Sequence, residues 1–416
     1  MRYLLLNPAC YGETWHITGN SGCRWASISP NTINKEPLKT KKDSYYAIFP
    51  FPLAFTSTIL KNQGHQTKVL DCIALNLSYS EMYEEIKKYN PEEIIYETCN
   101  VSIDQDIRIA LNLREFLKYK VVFVGSAVRE SKLAIQMAGF DCIEGNYIKH
   151  FARTDDYVEL LTLPDRDDTV LMYNDYFSHE KYIAKPQLQV WTSIGCPHNC
   201  SFCSWRWNFT DGKFVRRKLE HISKEIDYCI ERWKFKSVLF DDDTFNIGDK
   251  DTRAIAKMMG KKKLQWSAMV RADSCSLETF KIMKDNGCMG LKVGVETFSP
   301  EILKKIDKGL TAEDLLERIV KLKDMGFYLY LSTMQYIAGE TDEDRAITEM
   351  KLQQLYLMGI RYQRPCCVPL PGTKMGKEFQ EWELKHYKDP IKNFNYGHYD
   401  QSELTGRIIE FSKKKT

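Results

Sequence analysis

The chain lacks any apolar run approaching the ~20 residues that a helix needs to cross a bilayer, so no membrane partner is expected. It has almost no excess of charge of one sign: 59 Lys and Arg face 56 Asp and Glu, a net charge of +3 over 416 residues. That balance argues against nucleic acid or an anionic membrane surface as partner. No repeat and no low-complexity segment is evident, which excludes a solenoid or a disordered tether. The opening Met1–Pro8 is too short for a signal peptide and reads as a first strand. The thirteen cysteines are odd in number and show no framework spacing. Reduced thiols and a cytoplasmic location are therefore expected. No second Cys-x-x-Cys pair lies at finger distance from the first, as a structural zinc site would need. Hydrophobic residues make up 43% of the chain, enough for a sizeable core and for two domains at this length.

What the chain does have is Cys196, Cys200 and Cys203, spaced Cys-x-x-x-Cys-x-x-Cys within Ile194–Trp205. At this cysteine frequency the triplet should arise by chance about 0.01 times in the chain. Three thiolates on one short loop can hold three irons of a four-iron cluster and leave the fourth iron open to another molecule. Zinc is the competing reading; it wants four ligands, and His198 is the nearby rival.

Around this loop, strands and helices alternate. In the first part, Arg2–Asn7, Thr67–Asp71, Glu93–Tyr96, Lys120–Gly125 and Asp141–Glu144 read as strands. Pro52–Asn62, Tyr79–Tyr89, Ile103–Tyr119 and Ser131–Gly139 read as helices. The alternation predicts a parallel, doubly wound, Rossmann-like sheet over residues 1–147. A long polar loop interrupts it from Ala9 to about Ser44. Residues 148–186 are poorly periodic and read as a linker. From 187 to 375 six further strand–helix units follow, short of the eight of a closed barrel, so a partial (β/α)6 barrel is expected. Their strands are Leu188–Ile194, Ser237–Phe240, Trp266–Val270, Leu291–Val295, Tyr328–Met334 and Arg361–Cys366. Residues 376–416 form a C-terminal extension rich in aromatics.

The motifs of the second part resemble the radical S-adenosylmethionine (SAM) superfamily. The cysteine loop fits, including Phe202 before the last cysteine. So do Asp241-Asp242-Asp243 after the second strand, Val293-Gly294-Val295-Glu296-Thr297 at the fourth, Gly339-Glu340-Thr341 after the fifth and Pro369-Leu370-Pro371-Gly372-Thr373 after the sixth. Gly64-His65 through Asp71, Val122–Gly125 and Asp141–Asn146 look like the cobalamin-binding domain fused to one branch of that superfamily. The resemblance implies a 4Fe–4S cluster on Cys196, Cys200 and Cys203. It implies SAM bound at the open iron and split to a 5′-deoxyadenosyl radical, with Phe202, Asp241, Asp243, Arg271, Gly294, Glu296 and Ser332 as candidate SAM contacts. Cobalamin is implied at the carboxyl edge of the first sheet, against Pro8, Ala9, Thr98, Asn100, Ser102, Gly125, Ser126, Ala127, Glu144 and Gly145. The chain has no Asp-x-His-x-x-Gly, so the corrinoid would bind without a protein histidine beneath cobalt.

The resemblance implies a methyltransferase that acts through methylcobalamin on an unactivated carbon of a small-molecule or peptide substrate. An external one-electron donor of flavodoxin or ferredoxin type would reduce the cluster. The alternative is radical chemistry without methyl transfer: cyclisation, rearrangement, oxidation or epimerisation. Methylthio transfer to tRNA would need a second cysteine trio in the first domain, and the surroundings of Cys10, Cys72 and Cys99 do not match one. A corrinoid-binding module without catalysis leaves the cysteine loop unexplained. Cys366 and Cys367, at the last strand's end, read either as buried thiols or as a hydrogen donor or axial ligand.

Overall fold

The computed structural model of the chain describes residues 1–9, 49–72, 74–75, 77–99, 102–167, 182–204, 206–210, 212–389 and 403–413. Asn100 and most of the loop between Ala9 and Ser44 lie outside the described residues. The chain falls into two compact units. One comprises Met1–His179, Ser204–Trp233 and Lys392–Gly397; the other comprises Glu180–Cys203, Lys234–Ile391 and His398–Thr416.

The first unit is built from β1 (Arg2–Asn7), α1 (Phe51–Asn62), β2 (Gln66–Asp71), α2 (Tyr79–Tyr89), β3 (Glu93–Thr98), α3 (Ile103–Leu117), β4 (Lys120–Gly125), α4 (Val128–Met137), β5 (Asp141–Cys142) and α5 (Tyr147–Ala152). Its five strands pair in parallel in the order β2-β1-β3-β4-β5. Leu4, Leu5 and Leu6 are all fully buried, as are all six residues of β3 to within a few percent, because helices cover both faces of a parallel sheet. On one face Leu4, Leu6, Ile94, Tyr96 and Phe123 pack with Met82, Ile86, Ile109 and Leu113 from the helices. Each such side chain contributes ~1.5–3 kcal/mol by leaving water. Ser78 and Glu81 form a reciprocal capping box that fixes the start of α2.

The connection from β1 goes to one side of it and β3 lies on the other, so the topological switch point lies between β1 and β3. Ligands of open parallel sheets bind at that place, at the carboxyl ends. Gly125 closes β4 with a left-handed φ of +108°, and a Cβ there would stand 2.4 Å from the Thr98 carbonyl oxygen. Only glycine lets the ends of β3 and β4 approach this closely.

The stretch 204–233, which follows Cys203 in the chain, belongs to this first unit. Its helix α6 (Leu219–Trp233) carries Glu225, fully buried between two arginines. Arg166 donates to Glu225 from Nε at 3.0 Å, and Arg217 from Nη1 at 2.6 Å. The Arg166 guanidinium lies 3.8 Å from the Phe49 ring centroid, and that of Arg217 lies 4.9 Å from Phe55.

The second unit contains β6 (Gln187–Val190), β7 (Ser237–Phe240), α7 (Asp249–Lys262), β8 (Gln265–Val270), α8 (Leu277–Asp285), β9 (Cys288–Glu296), α9 (Pro300–Lys305), α10 (Ala312–Asp324), β10 (Tyr328–Thr333), α11 (Asp342–Leu357), β11 (Arg361–Gln363), α12 (Lys374–His386) and α13 (Glu403–Ser412). The six strands lie in strict chain order and all pair in parallel. Every crossover therefore steps one strand in the same direction, which is the construction of a partial barrel.

Register separates this sheet into two chemically different faces. Leu188, Val190, Val238, Phe240, Trp266, Ala268, Val270, Leu291, Val293 and Leu331 are buried, between 0 and 4% exposed. The alternate positions carry Gln187, Gln189, Ser237, Ser267, Lys292, Gly294, Tyr330 and Ser332, with Leu239 and Met269 as their apolar members. An ordinary parallel sheet is apolar on both faces. A polar second face suits a sheet whose concave side receives a polar ligand.

Several expected bounds differ from the structure, the strand at Leu291–Val295, for example, running Cys288–Glu296. Leu188–Ile194 is not one strand: pairing stops at Val190, and only Ser193–Ile194 resumes extended geometry. Arg361–Cys366 pairs only to Gln363, with Cys366 in an isolated bridge to Gln335. Asp141–Glu144 ends at Cys142. Ser131 is not the start of its helix, which begins at Val128. The aromatics of the C-terminal extension pack on one another: Phe379 and Trp382 of α12 meet Phe411 of α13 at ring distances of 5.2 and 5.6 Å. Phe394, Tyr396 and Tyr399 lie outside the described residues.

Candidate active site

The cysteine loop leaves β6 at the carboxyl edge of the six-stranded sheet. Asp242 sets its path by accepting from the Thr192 amide at 3.0 Å, the Thr192 hydroxyl at 2.8 Å and the Ser193 hydroxyl. Further on, the Ser201 amide donates to the Ile306 carbonyl and the Ser201 carbonyl accepts from the Met375 amide, both at 3.1 Å. The loop is thus pinned by the Asp242 carboxylate at one end and by backbone bonds of Ser201 further on, which are costly to break when buried. Between these pins sit Cys196, half-buried, and Cys200, buried; Cys203, half-buried, lies two residues past Ser201, and all three are free thiols.

Each neighbour of the thiols has an assignable role. The Thr244 hydroxyl donates to the Asp243 carbonyl at 2.7 Å and stands 3.5 Å from Cys196 Sγ. Arg271 Nη1 donates to Cys200 Sγ at 3.4 Å. Burial pushes the Cys196 thiol above its usual pKa, against Thr244 and the His198 amide, which lower it. His198 Nε2 is 2.9 Å from the Ser274 hydroxyl. Burial and the nearby Arg271 charge depress the imidazole to about 4, so it stays neutral. Its Nε2 is engaged by Ser274, which leaves the three thiols as the loop's ligand set. Among the described residues no three His, Cys, Asp or Glu side chains converge on a single ion. Soft thiolate donors fit an iron–sulfur cluster, so Cys196, Cys200 and Cys203 would hold it.

The three adjacent aspartates do different things. Asp242 holds the loop. Asp241 is buried and accepts from Gln189 Nε2 at 3.2 Å on the polar face. Asp243 keeps solvent-exposed surface at the strand end, with dense protein packed around its carboxyl. Burial first, then Asp242 and Asp241, raise it well above the usual carboxylate range. Glu296 ends β9 at φ +67°, a left-handed value that costs a residue with a side chain ~1 kcal/mol or more. Lys308 Nζ holds its carboxylate at 2.9 Å, with both side chains largely buried. Gly294 sits against this pair: a Cβ there would lie 3.0 Å from Glu296 Oε1 and 3.3 Å from Lys308 Nζ. Ser332 is in register with Gly294 on the neighbouring strand. Phe202 is half-buried beside Cys203.

Arg271 directs its donors to Asp273, at 3.0 Å from Nε and 2.7 Å from Nη2, to the Lys308 carbonyl, and to Cys200. Burial works against its charge, but Asp273 outweighs burial and the guanidinium titrates above its usual value. Asn246 brackets its backbone from both sides, at 2.8 and 3.1 Å.

Thr244, Asn246 and Lys308 received no role from the sequence, although Thr244 and Asn246 lie within three residues of Asp243. Glu340 was quoted in a motif without a role. It is buried, accepts from the amides of Tyr336 and Ile337 through Oε2, and among the described residues has no hydrogen-bond partner at Oε1. Burial raises it to about 7. Because the folded value lies above the ordinary one near 4.5, its contribution to stability is present below pH ~4.5 and is lost as pH rises through about 7. Glu340→Gln keeps the acceptor without the charge. It is expected to gain up to ~3 kcal/mol relative to the parent between pH 4.5 and 8, read from urea midpoints at the two pH values. Cys367 is 2% exposed and its thiol donates to Met375 Sδ at 3.5 Å. Burial raises its pKa, which favours a buried thiol over a ligand.

In the first unit, Ala9, Thr98, Ser102, Gly125, Ser126 and Ala127 all lie at the carboxyl ends of β1, β3 and β4, with Pro8 between Asn7 and Ala9. Glu144 and Gly145 follow β5. The Thr98 and Ser102 hydroxyls both donate to buried Asp106 at 2.6 Å. Glu144 accepts from Lys132 at 2.7 Å. Small residues with occupied side chains leave an edge of backbone and apolar surface, which fits a flat macrocycle. Asn100 lies outside the described residues.

Comparison with known proteins adds the following. Residues 192–350 match the radical SAM superfamily. An uncharacterized methyltransferase from Pyrococcus horikoshii is 26% identical over 404 residues, 88% of this chain and 84% of that protein. A bacteriochlorophyllide d C-12(1)-methyltransferase from Chlorobaculum tepidum is 26% identical over 228 residues, 51% of this chain and 45% of that protein. Among solved structures, the radical SAM methyltransferase TsrM from Kitasatospora setae, with tryptophan and a SAM analogue bound, superposes with a TM-score of 0.67 at 15% identity, over 83% of this chain and 75% of that one. The cobalamin-dependent radical SAM enzyme OxsB with aqua-cobalamin gives 0.68 at 12% identity, over 95% and 64%.

Proposed function

We propose that the chain, whose residues 192–350 match the radical SAM superfamily, is a cobalamin-dependent C-methyltransferase acting on an unactivated carbon of a small-molecule or peptide substrate. One observation carries the reading. A doubly wound sheet with a small-residue carboxyl edge and a partial barrel with a three-thiol loop at its carboxyl edge occur on one chain. When bound, a cluster with an open iron supplies one-electron cleavage of SAM, and a corrinoid supplies a transferable methyl group.

The chain's own residues bind and orient. Cys196, Cys200 and Cys203 hold the irons. Glu296, fixed by Lys308, accepts hydrogen bonds from the ribose hydroxyls or amine of SAM, and Gly294 and Ser332 give it room at the strand ends. Asp243, at the neighbouring strand end, contacts SAM as well, and Phe202 screens the loop. Pro8, Ala9, Gly125, Ser126, Ala127 and Gly145, with the backbone of Thr98 and Ser102, form the corrinoid edge. The polar face with Gln189, Asp241 and Tyr330 receives the substrate. An external donor of flavodoxin or ferredoxin type delivers the electron, in a cytoplasmic setting.

Gly294→Ala should push the Glu296 carboxylate out of place and raise the Kd for SAM about 10-fold, a loss of ~1.4 kcal/mol, in equilibrium dialysis with melting unchanged. The function itself is tested by anaerobic purification with iron and cobalamin, followed by SAM labelled at its methyl group. Corrinoid absorption bands, S-adenosylhomocysteine and label in a product are expected. Absence of bound corrinoid, with SAM cleaved and label in no product, would replace methyl transfer by radical rearrangement.

A further inference from the structure

Arg271 is buried, 5% exposed, at the end of β8. Its geometry is fixed from three directions. Asn246 grips its backbone, Asp273 takes Nε and Nη2 in a two-pronged contact, and the Lys308 carbonyl also takes Nη2. That leaves Nη1 aimed at Cys200 Sγ, 3.4 Å away. The planar fork of a guanidinium stays charged under all ordinary conditions. The chain therefore places a permanent, immobile cation on a cluster ligand, with Asp273 as its paired counter-charge.

We infer that Arg271 is a positioning residue that sets the reduction potential of the cluster through Cys200, with Asp273 as the opposing adjustment. The inference rests on the cluster assignment to Cys196, Cys200 and Cys203. In the step concerned, an external one-electron donor is oxidised and the cluster gains one electron; no bond forms or breaks and no proton moves. The reduced assembly, three thiolates included, carries one more negative charge than the oxidised one. A fixed cation against a ligand sulfur stabilises the reduced state more, so the potential rises; hydrogen bonds to sulfur act in the same direction. A fixed anion acts oppositely. In a buried site these effects escape most solvent screening.

The test is an EPR-monitored redox titration of anaerobically reconstituted protein without SAM or cobalamin. Arg271→Gln should move the midpoint to more negative potential, and Arg271→Lys should move it less. Asp273→Asn, which keeps an acceptor for the guanidinium and removes the charge, should move it to more positive potential. Opposite shifts from adjacent residues are not produced by loosened packing. If Arg271→Gln fails to fold or to hold iron, the Asp273→Asn shift alone decides. A full iron complement with midpoints unchanged in both charge-removing variants overturns the inference and leaves the cluster assignment standing. Parent protein that takes up no iron–sulfur cluster overturns both. Unchanged midpoints with loss of SAM affinity in Arg271→Gln would make Arg271 a SAM ligand instead.

Discussion

Alanine at Cys200 is expected to abolish both iron–sulfur uptake and SAM cleavage, and alanine at Cys196 or Cys203 to do the same. Losing an outer-shell partner of a metal typically costs ~10–100-fold; losing one of only three ligands removes the cluster's attachment and should cost far more. The loop's own fold should survive, because Asp242 and the backbone pins on Ser201 hold it without metal. Iron and sulfide analysis, together with 5′-deoxyadenosine formation under reducing conditions, checks this in one preparation. A serine variant is the informative companion: its hydroxyl fits the space but lacks the soft donor that iron–sulfur sites select.

The largest stability effect is expected at Glu225. Glu225→Ala strips two buried guanidiniums of their shared carboxylate, since Arg166 and Arg217 both donate to it at less than 3% exposure. Breaking a buried pair by removing one partner costs ~3–5 kcal/mol; against total stabilities of ~5–15 kcal/mol this is a large fraction. A fall of that size in denaturant-unfolding free energy is expected, with Glu225→Gln intermediate because its amide oxygen still accepts one hydrogen bond. Arg217 also donates from Nε to the Leu161 carbonyl at 3.0 Å, so the variant disturbs the segment after α5 as well as α6.

Local signals made much of the fold legible. α2 has the bounds the sequence indicates, Tyr79–Tyr89, because Ser78 and Glu81 form a capping box at its start. The strand alternation and the cysteine spacing are likewise visible in short windows. Short or broken elements were not. α5 is six residues long, too short for an apolar period to register, although Asn146 caps it through the Lys149 amide. The break after Val190 follows from Asp242, fifty positions away, drawing Thr192 and Ser193 aside. The site shows the same division. Cys196, Cys200 and Cys203 stand out in sequence, while the Arg271–Cys200 contact spans 71 positions and the Arg166–Glu225 pair spans 59. Lys308 is only 12 residues from Glu296, but a helix intervenes and the sequence gives no measure of how it folds back. The polar face of the second sheet appears only once register assigns Gln189, Met269, Lys292 and Tyr330 to one side.

The central claim is a cluster with one iron free of protein ligands, and adding SAM to the reduced, cobalamin-free protein tests it most directly. A four-iron cluster whose EPR or Mössbauer signature changes at one iron when SAM binds is the predicted result. Zinc in place of iron, or a fully formed cluster whose spectrum ignores saturating SAM, would contradict it.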